Sequence, residues 1–126
     1  MSAARVVLVD DNPDFVRTAA DFLAQDPGIE IVGLATSGER ALDLVADHQV
    51  GLVVMDLTMP GMGGLEATRR LKAGHPAPLV IILSLHDDEA YRHRARQAGA
   101  DGFIAKSEFG EELLPLIRRL FTCQAA

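Results

Sequence analysis

Five polar residues stand at the ends of apolar runs of strand length. Asp10 and Asp11 follow Val6-Val7-Leu8-Val9, Asp56 follows Leu52 to Met55, Ser84 follows Leu79 to Leu83, and Lys106 follows Phe103-Ile104-Ala105. If these runs are strands of one parallel sheet, three carboxylates, a hydroxyl and an ammonium converge on a single rim. Two unit charges about 4 Å apart repel by roughly 4 kcal/mol at an effective dielectric near 20. Three carboxylates so placed must either raise a pKa or recruit a cation. A hard divalent ion meets that demand, and Mg²⁺ commonly binds through one or two carboxylates, a phosphate oxygen and waters. No Cys or His cluster offers a zinc site. A carboxylate beside such an ion and Lys106 is a nucleophile toward phosphorus, giving an aspartyl phosphate. Ion and ammonium then neutralise charge on the transferring group. A hydrogen bond from Ser84 to the phosphoryl oxygen would exist only in the modified state, which makes a switch.

The elements that must position these groups follow one rhythm. Apolar runs lie at Val6 to Val9, Ile29 to Ala35, Leu52 to Met55, Leu79 to Leu83 and Phe103 to Ala105. Three are uninterrupted and rich in β-branched residues, as parallel strands buried on both faces require. The second carries Glu30 and Gly33 and the last is short, so both read as edge strands. Helix patterns fill the gaps. Asn12-Pro13 opens the first as cap and first-turn proline, ahead of Phe15, Ala19, Phe22 and Leu23 at helical spacing. Others start near Ser37, near Gly63 and near Asp87, where Asp87-Asp88-Glu89 suits a positive helix N-terminus. The fifth holds Leu113, Leu114, Ile117, Leu120 and Phe121; Pro115 belongs in its first turn or bends it, so the start is expected near Gly110 or later. Five strand–helix units predict an α/β fold with a five-stranded parallel sheet, helices on both faces, and ligands at the C-terminal ends of the strands. One domain is expected over residues 1–126.

Composition narrows the function classes. With 126 residues and 48% hydrophobic content the chain can bury a core. No unbroken apolar stretch reaches a membrane span, Met1 to Arg5 lacks the layout of a secretory signal, and the single Cys123 excludes an internal disulfide. The expected compartment is the cytoplasm. Net charge is −6, with three basic against ten acidic residues in 1–63 and nine against eight in 64–126. Such an acidic chain is a poor nucleic-acid binder by itself.

With these residues in view, the whole chain resembles a CheY-like, flavodoxin-like response-regulator receiver domain of the NarL/FixJ-type branch. The matching stretches are Val9-Asp10-Asp11-Asn12-Pro13, Met55 to Ala67, Ala98-Gly99-Ala100-Asp101-Gly102-Phe103 and Lys106-Ser107. Asp56 followed by Pro60 and Gly64 is the most specific part. The resemblance implies strand order 2-1-3-4-5, and a phosphoryl group passed to Asp56 from a phosphohistidine on a sensor histidine kinase. It implies Mg²⁺ held by Asp11, Asp56 and the Thr58 backbone carbonyl, with Asp10 acting through water, and Lys106 paired with the phosphoryl group. Ser84 and Phe103 match the switch pair. Thr58, Leu85 and His86 match positions that tune access and phosphate lifetime. Kinase docking is implied near the first helix (Asp14 to Leu23). An output surface is implied on the fourth helix, fifth strand and fifth helix, for a partner or an output domain in transcription regulation. Two positions depart from the pattern. Leu85 replaces a small residue and would narrow access to Asp56 or obstruct Phe103, and Phe103 lacks the hydroxyl of the more familiar tyrosine.

Other conspicuous residues read more plainly. Gly61-Met62-Gly63-Gly64 lacks P-loop spacing and reads as a turn into a helix. Met55, Met59 and Met62 read as core or loop filler, and His48, His75 and His93 as surface residues. Arg92, Arg94, Arg96, Arg118 and Arg119 form either a solvated face or a partner contact. Two further classes stay open. A haloacid-dehalogenase-type phosphatase normally needs a second aspartate where this chain has Thr58. A flavin-binding module would want a hydroxyl- and glycine-rich loop where this chain has Asp10-Asp11.

Overall fold

The uninterrupted aliphatic runs form the middle of one sheet. β1 (Ala4–Val9), β3 (Leu52–Asp56) and β4 (Leu79–Ser84) are flanked by the edge strands β2 (Ile29–Ala35) and β5 (Gly102–Ala105). The order is β2-β1-β3-β4-β5, as the family resemblance implies, and every pairing is parallel, as the apolar runs predict. This computed structural model describes the backbone of residues 3–86 and 88–125 and the side chains of 3–86 and 88–122. Asp87 and the Cys123 side chain therefore lie outside the described residues.

Successive strand side chains point to opposite faces, and the two apolar clusters follow that alternation. Val6, Leu8, Leu52, Val54, Ile81 and Leu83 pack against one pair of helices, α1 (Pro13–Ala24) and α5 (Phe109–Ala125). Val7, Val9, Val53, Met55, Val80 and Ile82 pack against α2 (Gly38–Asp47), α3 (Gly64–Ala73) and α4 (Glu89–Ala98). Met59 is buried in this second cluster and Met62 packs on it, so the methionines are filler. Among the described residues, no helix is long and apolar enough to cross a membrane.

Side chains fix where the helices begin. The Asn12 carboxamide oxygen accepts the Asp14 and Phe15 N–H groups, Ser37 Oγ accepts from Arg40, and the Asp88 carboxylate accepts from Tyr91. Each such cap is worth about 1 kcal/mol against alanine. In β2 the register slips, so that Val6 faces Ile31 while Val7 faces Gly33. A Cβ on Gly33 would lie 2.9 Å from Leu44 Cδ1, so the glycine admits the close approach of α2.

The fifth helix starts within a residue of the expected position but carries its proline further in. A 3₁₀ turn spans Lys106–Glu108 and α5 starts at Phe109, leaving Pro115 inside the helix beyond its first turn. The proline is exposed, while Leu113 and Ile117 on either side of it are buried against the sheet. Their burial outweighs the one hydrogen bond that proline removes on the solvent side.

Candidate functional site

Strand register brings the chemistry-bearing residues together at one rim. Asp56 pairs with Leu83 across β3 and β4, which sets Ser84 one residue further along the neighbouring strand. Met55 pairs with Val9, so Asp10 and Asp11 leave β1 beside Asp56. One oxygen from each of Asp10, Asp11 and Asp56 lies within 4.8 Å of the others. Lys106, next after β5, holds its Nζ 2.6 Å from Asp10 Oδ2 and 3.9 Å from Asp56 Oδ1.

Helix α3 locks the Asp56 loop. The Gly64 N–H donates to the Leu57 carbonyl at 3.0 Å, and the Leu57 N–H donates to the Leu83 carbonyl at 2.8 Å. A Cβ on Gly64 would collide with the Asp56 carbonyl oxygen and crowd the Leu57 backbone. The glycine eight residues after Asp56 is thus a packing requirement of the site. The turn reading of Gly61 to Gly64 agrees with this geometry. Across the sheet, Asp101 anchors the approach to β5 by accepting from the Val80 N–H at 2.8 Å and from Lys72 Nζ at 2.9 Å.

The electrostatics are unresolved within the chain's own atoms. Asp10 is 2% exposed and Asp56 6% exposed, whereas Asp11 faces solvent. Asp10 Oδ1 accepts the Asn12 N–H at 2.9 Å, while the buried Oδ2 has the Lys106 ammonium 2.6 Å away as its ion-pair partner. Burial pushes the Asp56 carboxyl up to about 6; the Asp10 charge adds to the rise, Lys106 opposes it, Asp11 raises it further, and the Leu57 N–H opposes. Three close carboxylate oxygens with only one ammonium beside them fit a hard divalent cation with oxygen ligands.

Ser84 is 1% exposed, and its Oγ accepts the His86 N–H at 3.0 Å. Accepting that bond leaves its hydroxyl proton available for donation. Phe103 is half-buried opposite Ile82, with the Arg92 guanidinium carbon 4.8 Å from its ring centroid. Thr58 is exposed on the loop after Asp56. His86 is exposed and stacks on Tyr91, with centroids 5.3 Å apart. Leu85, which follows Ser84, is 80% exposed.

Arg118 pairs with Asp26 after α1 at 2.7 Å and stays largely exposed, in keeping with a solvated face. One contact escapes sequence reasoning. Phe15, read only as part of an apolar stripe, also lies under Lys106, with Nζ 4.3 Å from its ring centroid. Helical spacing marks such a ring as core; nothing in the spacing reports that a lysine from another element reaches its face.

Comparison with known proteins fits this geometry. Residues 6–118 match the response regulator receiver domain. The response regulator GacA of Pseudomonas aeruginosa is 40% identical over 119 residues, covering 94% of this chain and 56% of that protein. UvrY of Escherichia coli is 36% identical over 120 residues, covering 94% and 55%. The chain thus spans little more than half the length of these curated relatives. A solved LuxR-family two-component response regulator from Aurantimonas sp. SI85-9A1 has a TM-score of 0.90 at 35% identity, over 96% of this chain and 86% of that one. The signal receiver domain of the response regulator NarL from Mycobacterium tuberculosis has a TM-score of 0.86 at 29% identity, over 98% and 97%.

Proposed function

This chain belongs to the response regulator receiver domain family, in its NarL/FixJ-type branch, and we propose on that footing that Asp56 is its phosphoacceptor. The observation that carries the assignment is the convergence of Asp56 with Asp10, Asp11 and Lys106 on one strand-end rim. An Asp56 carboxylate oxygen attacks the phosphorus of a phosphohistidine on a sensor histidine kinase. The O–P bond forms as the N–P bond breaks, and the electron pair leaves on the imidazole, which takes up a proton. Asp11, Asp56 and the Thr58 carbonyl would hold Mg²⁺, with Asp10 acting through water. The bound ion supplies charge neutralisation for the carboxylates and the phosphoryl oxygens.

Lys106 meets the phosphoryl group from the opposite side. Ser84 donates its hydroxyl proton to a phosphoryl oxygen, and the shift draws Phe103 inward, changing the surface of α4, β5 and α5. Thr58, Leu85 and His86 border the entrance and set water access. The chain modifies and demodifies itself without turning over an external substrate. The chain acts in the cytoplasm, and its partners are a sensor histidine kinase docking near α1 and an output domain or second protein at the α4–β5–α5 face, where Arg94, Arg96 and Arg119 are exposed. Residues 1–126 form the receiver unit, acting either alone or as the receiver part of a longer transcription regulator. The phosphatase alternative is dropped, since the family match is to a receiver and Thr58 stands where that chemistry needs an aspartate.

Acetyl phosphate with Mg²⁺ should add one phosphate to the wild type, read by intact mass, and none to Asp56→Asn. Equal labelling of both proteins refutes the assignment.

A further inference from the structure

Lys106 is held by more than carboxylates. The ammonium that stands 2.6 Å from Asp10 Oδ2 and 3.9 Å from Asp56 Oδ1 also stands 4.3 Å from the centroid of Phe15. The ring is itself fixed. Phe109, the first residue of α5, meets Phe15 edge-on at 5.2 Å, and meets Phe22 at 5.6 Å in the same manner. Phe15 and Phe22 both belong to α1, so the first helix and the start of the fifth clamp one aromatic face beneath the lysine. The Lys106 side chain is 14% exposed, and cation–π attraction is strongest where the cation is largely desolvated.

We propose that Phe15 is a positioning residue for phosphoryl transfer, presenting its π face to Lys106 so that the ammonium is aimed at the Asp56 oxygens. Lysine is a point charge on a flexible stem and needs such a guide. Asp10 alone is an unreliable one, because its carboxylate also faces the acidic cluster and its attraction for Lys106 weakens with any cation bound there. A benzene face carries no net charge and ligates no hard ion, so its hold persists. The inference rests on the reading of Asp56 as phosphoacceptor and Lys106 as its partner.

Leucine at position 15 keeps an apolar side chain and removes the ring quadrupole, whereas tyrosine keeps both. With acetyl phosphate and Mg²⁺, Phe15→Leu should be labelled about tenfold more slowly than wild type, about 1.4 kcal/mol, and Phe15→Tyr within about twofold of it. In metal-free protein, ¹H–¹³C spectra should show the Lys106 ε protons shifted upfield by the ring in the wild type and in Phe15→Tyr, and unshifted in Phe15→Leu. Wild-type labelling rates in Phe15→Leu, or a Phe15→Tyr variant as slow as Phe15→Leu, would overturn the positioning role. A wild type that takes no label overturns the Asp56 reading and the role with it, and is told apart because then no variant, tyrosine included, is labelled.

Discussion

The two ends of this sheet are built on opposite terms. At the N-terminal ends of the strands lies a groove of about 830 Å³, lined by Leu42, Val45, Val50, Pro76 and Phe121 with Arg5, His48, Arg70 and His75. Polar groups there are matched: Arg5 Nε donates to the Gln49 carbonyl at 2.6 Å and its guanidinium pairs with Glu30 at 3.1 Å. Arg70 pairs with Glu66 at 3.0 Å, and His48 Nδ1 lies 3.0 Å from the Leu44 carbonyl. The C-terminal rim instead crowds three carboxylates around a single ammonium, Lys106, and holds an acid pushed up to about 6. Unresolved charge, and not empty volume, marks the chemical end of this fold.

The largest expected effect is on stability against pH. An acid whose pKa is higher folded than unfolded binds its proton more tightly in the folded state. Ionising it therefore disfavours folding. For Asp56, with an ordinary value of 3.8 and a folded value of about 6, wild-type stability falls by about 2–3 kcal/mol as pH rises through that window and stays lowered above it. In chelator, urea unfolding should find Asp56→Asn more stable than wild type by about that amount at pH 8, and no more stable at pH 4. Equal stability at pH 8 would erase the contrast between the two ends.

A smaller effect tests how the rim is held. Gly64→Ala forces a methyl group against the Asp56 and Leu57 backbone, and should lower stability by about 1–3 kcal/mol while slowing labelling by acetyl phosphate. A fully stable and fully labelled variant would show that α3 does not fix the Asp56 loop. The smallest effect belongs to the groove. His75→Ala, at an exposed position there, should change stability by less than about 0.5 kcal/mol and leave labelling unchanged. A large loss of labelling would couple the two ends and break the distinction.

Sequence and structure agree where one physical signal dominates. Buried parallel strands must be continuously apolar, so Leu52 to Met55 and Leu79 to Leu83 were legible as central strands. The polar residues that end them, Asp56 and Ser84, were legible as a rim. Caps such as Asn12 and Ser37 were legible because their side chains bond locally. What was not legible depends on distant partners. Pro115 reads locally as a breaker, but burial of Leu113 and Ile117 carries the helix through it. Arg118 reads as surface charge and remains so, but only the fold brings Asp26 beside it. Gly64 is a motif letter in the sequence; only the packing of α3 on the Asp56 loop shows why it must be glycine.

The most direct test of cation relief at the acidic rim is a thermal melt at pH 8 across a Mg²⁺ titration, wild type beside Asp56→Asn. The expected result is a wild type that melts below the variant in chelator and rises with millimolar Mg²⁺ by more than the variant does. A wild type that melts no lower than Asp56→Asn in chelator, with neither protein responding to the ion, would contradict it.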